Sequence, residues 1–255
     1  MATKNKTTKQ KLQQNNDAVV YNVMIALALA CLGFMGLRTL RTFYSTTEGF
    51  MTLYDRCNTI ALMGLALAVA AAAVGIFWKN RIARAFSPWI VVIGLMIAVT
   101  GRSMRVSGVA DFSFLYFLCF AILVQYIIFQ LYRWEFFLFS LSTVVACSVF
   151  FSFSHGVYWT AKNITLIAIL ALVLVVTTLC CRMACSNKGF LSLGCTRVKL
   201  YGAKSAPVLL YIVNALWLVC TICIPIFGGL FAYYCMFAAI AVEFIAAVYY
   251  TFQLT

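Results

Sequence analysis

The chain has 255 residues, of which 65% are hydrophobic and only 10% are charged. Charged residues make up about a quarter of a typical soluble domain, so this composition excludes an ordinary soluble protein. Several runs of about 20 apolar residues are long enough to cross a bilayer as helices. The sequence therefore predicts an all-α polytopic integral membrane protein.

The first 17 residues, MATKNKTTKQKLQQNND, are polar and basic, which predicts a disordered cytoplasmic tail, 1–17. The rest, 18–255, is predicted to be one transmembrane domain of about eight helices, arranged as a bundle of hairpins. The predicted spans are Ala18–Leu37, Asn58–Trp78, Pro88–Gly101, Phe112–Tyr132, Phe136–Ser154, Asn163–Cys181, Ala206–Phe227 and Leu230–Thr251.

The third predicted span is short for a membrane crossing. It is expected either to continue past Arg102 or to thin the bilayer locally. If it were re-entrant instead, seven spans would remain and the C-terminus would lie on the other side of the membrane. With eight spans and the N-terminus inside, the inner segments carry 13 of the 19 basic residues, as cytoplasmic loops usually do.

This charge distribution predicts that both termini are cytoplasmic and that the protein lies in the plasma membrane. The net charge of +13 then reflects topology and attraction to anionic lipid of the inner leaflet. We expect no nucleic-acid partner, because no soluble domain remains to carry a nucleic-acid-binding surface. Membrane lipid is the partner that the composition predicts.

The largest predicted loop, 182–205, is cytoplasmic and cysteine-rich. Its cysteines lack the paired spacing of a zinc site, and His155 is predicted on the opposite side of the membrane, so we expect structural thiols and no metal or cofactor. Common catalytic motifs are also missing, which argues against an enzyme. His155, beside Tyr158 and Trp159, is predicted to be an interfacial residue.

Glu243 is the one acidic residue well inside a predicted span, in AAIAVEFIAAVYY. A carboxylate in lipid costs a few kcal/mol on insertion scales, so such a residue usually faces protein or water. Ala239, Ala246 and Ala247 share its helical face, and small side chains allow another helix to approach closely. The pattern predicts that Glu243 faces protein.

A partner for Glu243 is predicted by counting along the last hairpin. Asn214 lies 14 residues before Gly228, and Glu243 lies 14 residues after Gly229. Both positions are therefore about 21 Å from the turn. We hypothesise a hydrogen bond between Asn214 and Glu243, either as a structural clamp or as part of an ion or proton site. Gln125, in the fourth span, is a further candidate for a polar path.

A second feature is the pair of similar strings GLRTLR and GRSMR, which place Arg38, Arg41, Arg102 and Arg105 on the predicted outer side. An Arg-x-x-Arg pair projects both guanidinium groups from one helical face, which suits an anion such as a lipid phosphate. Two alternatives are open. The arginines neutralise acidic residues on the same side, or they extend into the headgroups. Those acidic residues are Glu48, Asp55 and Asp111.

Two classes of function follow from these residues. The first is a small transporter, permease or lipid-handling protein, in which Glu243, Asn214 and Gln125 line a polar path and the outer arginines meet an anionic ligand or lipid headgroup. The second is a non-transporting membrane subunit or scaffold whose buried polar groups only fasten helices. Intramembrane acids favour the first class.

Overall fold

The computed structural model describes residues 2–77, 81–107, 112–132, 134–156, 159–187, 189–193, 196–199 and 207–252. These residues form eight helices and one two-stranded antiparallel sheet. In chain order the elements are α1 (Ala2–Tyr44), α2 (Thr47–Phe77), α3 (Arg81–Ser107), α4 (Phe112–Leu131), α5 (Trp134–Ser154), α6 (Ala161–Ser186), β1 (Phe190–Leu193), β2 (Thr196–Lys199), α7 (Pro207–Phe227) and α8 (Gly229–Phe252).

The predicted fold class is confirmed, because the chain is a multipass helical bundle. Among the described residues, seven helices are long and apolar enough to cross a membrane, and α3 is the helix outside that set. The third predicted span does continue past Arg102, since α3 runs to Ser107. Its two ends carry arginines, which lowers its hydropathy without shortening the helix.

Helix α1 begins at Ala2, so the backbone of residues 2–17 is helical, within the 1–17 segment for which the sequence predicted disorder. This segment contains no glycine or proline and is rich in Lys and Gln, which are good helix formers. Adding residues to an existing helix is far easier than starting a new one. The apolar half of α1 therefore extends its helix into the polar segment.

The predicted loop 182–205 contains regular structure that the sequence analysis missed. Helix α6 continues to Ser186, and the two strands then pair with Phe190 opposite Lys199 and Leu193 opposite Thr196. Two short segments with bulky or β-branched residues, separated by two residues that include a glycine, are a sequence pattern typical of a hairpin. Cys195 lies outside the described residues.

Contacts within the chain define two compact units. Unit 1 combines 1–31 with 117–255, and unit 2 is 32–116. The single domain 18–255 stays a prediction. Two units that make more contacts within themselves than with each other can still belong to one folding domain. Within unit 1, α5 is the most buried of the membrane-spanning helices and packs most extensively on α8.

In unit 2, α2 and α3 pack with their backbones almost touching. A Cβ atom on Gly64 would lie 2.6 Å from the backbone nitrogen of Ala98, and one on Gly94 would lie 2.8 Å from that of Ala68. The Ser87 hydroxyl also donates to the Ala71 carbonyl at 2.6 Å. Small residues permit this approach, which replaces lipid contacts by dense packing.

We expect Gly94→Ala to destabilise the protein, because the new methyl group would meet backbone atoms that cannot rotate away. Overpacking of this kind costs about 1–3 kcal/mol. The measurement is detergent-induced unfolding in mixed micelles. Gly36→Ala is the matched control, because a Cβ at Gly36 has nothing within 4 Å. Equal stability of the two variants would contradict the close packing of α2 on α3.

Candidate polar site around Glu243

Glu243 lies on the face of α8 that packs against protein. Ala239 and Ala246 on this face are buried, and Ala247 packs against the core. The side chain of Glu243 is partly buried, and both carboxyl oxygens are completely buried. The prediction that Glu243 faces protein is therefore confirmed.

The groups that interact with the Glu243 carboxyl come from α5. The hydroxyls of Ser140 and Thr143 lie next to it, and the Cys147 thiol interacts with it electrostatically. Nevertheless, neither carboxyl oxygen accepts a hydrogen bond of ordinary geometry from the described residues. The acceptors of the Ser140 and Thr143 hydroxyls therefore decide what these two groups offer to the Glu243 carboxyl.

The Ser140 proton is already used by Gln125 on α4. The Gln125 amide nitrogen donates to the Phe137 carbonyl at 3.2 Å, which fixes the orientation of the amide. Its other end, Oε1, can only accept, and the Ser140 hydroxyl donates to it at 3.0 Å. Gln125 is thus a neighbour of the Glu243 site, and it holds the Ser140 proton away from Glu243.

The Thr143 hydroxyl also donates to an acceptor other than Glu243. The hydroxyl donates to the Phe139 carbonyl at 3.1 Å, one turn earlier on α5. The indole nitrogen of Trp217, on α7, donates to the same Thr143 oxygen at 3.3 Å. Each hydroxyl therefore has an acceptor other than Glu243, and the Glu243 carboxyl is left without a hydrogen bond of ordinary geometry among the described residues.

Asn214 does not bond to Glu243, so that prediction is wrong. Its amide nitrogen donates to the hydroxyls of Thr177 and Thr178 on α6, at 3.0 and 3.1 Å. Counting from the turn fixes the depth of Asn214 in the bilayer and leaves open the direction in which it points. The Asn214 side chain faces α6, and its carbonyl oxygen is buried without a hydrogen-bond donor among the described residues.

The four arginines belong to unit 2 and are exposed near the ends of α1 and α3. The Tyr44 hydroxyl, in the last turn of α1, donates to the Met104 carbonyl at 3.0 Å. The Tyr44 ring is buried against Phe50 and Phe112. This contact brings Arg38 and Arg41 to the same end of unit 2 as Arg102 and Arg105.

The neutralising role considered for these arginines has no support among the residues that the structure describes. There, no salt bridge joins any of the four guanidinium groups to Glu48 or Asp55. Asp111 lies outside the described residues. Four exposed cationic groups therefore share one end of unit 2.

Sequence reasoning missed a second buried carboxyl, that of Glu135. It is the second residue of α5 and is 6% exposed. The Tyr250 hydroxyl donates to Glu135 Oε1 at 3.1 Å across the interface between α5 and α8. The available signal was an acidic residue at the start of an apolar, Phe-rich run, because the helix dipole favours an acid in the first turn.

His155 was predicted to be an interfacial residue, and its side chain is exposed at the end of α5. Its Nδ1 lies 3.1 Å from the Phe151 carbonyl and 3.3 Å from the Ser154 hydroxyl, so its contacts are within its own helix end. Trp159 is also exposed, whereas Tyr158 lies outside the described residues.

Comparison with known proteins adds no relative. No protein-family model, no curated protein and no solved structure matches the chain. The fold and the site define the class, a multipass helical membrane protein with a buried carboxyl, and the chemistry of that site carries the functional argument.

We expect a double-mutant cycle of Asn214→Ala with Thr177→Val to show a coupling energy of about 0.6 kcal/mol, the average for interhelical hydrogen bonds in a membrane protein. A cycle of Asn214→Ala with Glu243→Gln should show about zero, because the two side chains share no bond. Both are measured by unfolding in mixed micelles. Coupling only in the second cycle would contradict the placement of Asn214 against α6.

Proposed function

We propose that this multipass membrane protein is a small proton-coupled transporter in which Glu243 takes up and releases the proton. The observation that carries the proposal is the mismatch at the Glu243 carboxyl. Its oxygens are buried, and the neighbouring hydroxyls of Ser140 and Thr143 give their protons to other acceptors.

A buried carboxyl without an ordinary hydrogen bond is more stable as the neutral acid than as the carboxylate. An ionised Glu243 would lie in a medium where a charged side chain already costs about 2.5–3.5 kcal/mol. The protonated acid, in contrast, can donate its own O–H to either oxygen. A proton on Glu243 therefore supplies the hydrogen bond that this site lacks.

Release of that proton requires water or a cargo group to reach the carboxyl and solvate the anion. A change between a sealed and a hydrated state of the α5 and α8 interface would link proton release to transport. Asn214 lies three residues before Trp217, about 4.5 Å along the helix axis. Its carbonyl oxygen, which has no donor in the part of the chain that the structure describes, is a second buried group that a hydrogen-bonding cargo could use.

The competing function, a scaffold with purely structural polar groups, is favoured by one observation. Asn214 forms complementary bonds with Thr177 and Thr178, which fasten α6 to α7. The Glu243 site has no such complementarity. The scaffold function therefore explains Asn214 and leaves Glu243 without a role.

At the exposed arginines of unit 2 we propose a binding site for an anionic lipid headgroup. The supporting observation is that the Tyr44–Met104 contact brings two Arg-x-x-Arg pairs to one helix end. Guanidinium groups bind phosphate oxygens through paired hydrogen bonds. The plasma-membrane location and the cytoplasmic termini remain part of this proposal and rest on the distribution of Lys and Arg.

We expect dicyclohexylcarbodiimide, which reacts with protonated carboxyls in apolar surroundings, to label Glu243 in the membrane-embedded protein. Labelling should decrease as the pH rises, because only the neutral acid reacts. Peptide mass spectrometry identifies the adduct. Glu243→Gln should abolish it, and Glu48→Gln is the control, because Glu48 is an exposed acid in unit 2.

Two results would contradict a proton site at Glu243. One is the absence of an adduct on Glu243 at any pH at which the protein stays folded. The other is protection of Glu243 by sodium ions at constant pH, which would indicate that a metal cation and not a proton occupies the site.

We expect Arg102→Gln combined with Arg105→Gln to reduce phosphatidylglycerol adducts on the detergent-solubilised protein, while phosphatidylcholine adducts stay unchanged. The loss of guanidinium–phosphate hydrogen bonds is the physical reason. Native mass spectrometry counts the bound lipids. Arg182→Gln is the matched control, because Arg182 is an exposed arginine in unit 1. Equal losses in both proteins would contradict a specific site.

A further inference from the structure

The interface between α5 and α8 contains two carboxyls and not one. Glu135 lies in the first turn of α5, near the end of the helix, and Glu243 lies deeper, against Ser140 and Thr143. Acidic residues within membrane spans are rare and commonly form proton relays. Two of them along one helix pair form a candidate pathway.

Helical geometry gives the axial distance between the two carboxyl sites. Tyr250, which binds Glu135, lies seven residues after Glu243, so the two α8 residues share one face about 10.5 Å apart. On α5, Ser140 and Thr143 follow Glu135 by five and eight residues, about 7.5 and 12 Å. The axial spacing between the Glu135 site and the Glu243 site is therefore similar on the two helices.

Aromatic rings separate the two sites. The Tyr250 ring packs against Phe136 and Phe139, with ring centroids 5.0 and 6.5 Å apart, and all three side chains are buried. The Tyr250 hydroxyl reaches past these rings to Glu135. These three rings form an aromatic layer at the interface between α5 and α8, and the Tyr250 hydroxyl joins Glu135 to this layer.

We propose that Glu135 is the carboxyl through which Glu243 exchanges its proton with the membrane surface, and that Tyr250 is the positioning residue that holds Glu135 at the entrance. When the aromatic layer opens, the Glu243 O–H bond breaks and its proton passes through entering water to the Glu135 carboxylate. Glu243 is left ionised and Glu135 neutral, so charge is conserved. Glu135 then gives the proton to bulk water. This inference rests on the proposed function of Glu243.

Infrared spectroscopy of the protein reconstituted in lipid tests the exchange step directly. The protonated Glu243 carboxyl is identified as the acid carbonyl band that disappears in Glu243→Gln. On transfer to D₂O this band shifts as the proton is replaced by a deuteron, and the rate of the shift measures exchange between Glu243 and the surface.

We expect Glu135→Gln to slow this exchange by about tenfold or more, because the amide cannot carry a proton between Glu243 and water. Glu135→Asp keeps a carboxyl and should retain most of the rate. Tyr250→Phe keeps the ring and loses the hydrogen bond that positions Glu135. We expect this loss to slow the exchange by about two- to tenfold. Glu48→Gln is the control and should leave the rate unchanged.

The outcomes separate the two proposals. If Glu243→Gln removes no acid carbonyl band, Glu243 is not protonated and the proposed function fails together with the relay. If the band is present but Glu135→Gln and Tyr250→Phe exchange as fast as the unmodified protein, the relay alone is overturned. Size-exclusion profiles identify a variant that fails to fold, and the remaining variants then decide.

Discussion

The hydrogen bonds of two hydroxyl groups on α5 determine the surroundings of the Glu243 carboxyl. Ser140 donates to Gln125, and Thr143 donates to the Phe139 carbonyl. Each hydroxyl has a single proton, which in these contacts is donated to an acceptor other than Glu243. The Glu243 carboxyl is therefore buried against α5 without a hydrogen bond of ordinary geometry among the described residues.

Helix α5 can impose this constraint because it lies in the core of unit 1. Its neighbours α4, α7 and α8 each contribute one polar group to the same region, and the small residues Ala239 and Ala246 allow α8 to approach closely enough to bury Glu243. Fixed packing keeps the hydroxyl orientations fixed as well. Trp217 adds to this packing by donating its indole N–H to the Thr143 oxygen.

The sequence predicted the parts of this structure that depend on periodicity and length. Apolar runs gave the helices, and the alanines around Glu243 gave the face that it presents to protein. The direction in which the Asn214 side chain points could not be predicted from the sequence. The rise per residue fixes only its depth along α7, whereas the rotation of α7 about its axis depends on packing against α6. Glu135 was missed for a similar reason, since only the contact with Tyr250 shows that the end of α5 is buried.

Complementary polar contacts elsewhere in the described residues contrast with the Glu243 carboxyl. Ser87 donates to Ala71, Ser152 donates to Asn163 at 2.6 Å, and the Asn214 amide donates to Thr177. In each pair a donor meets an acceptor, as expected of contacts that fasten membrane helices. The buried Glu243 oxygens have no such contact among the described residues, so fastening alone does not account for them. This difference, on an interface with a second carboxyl, is what supports the proposal that Glu243 carries a proton.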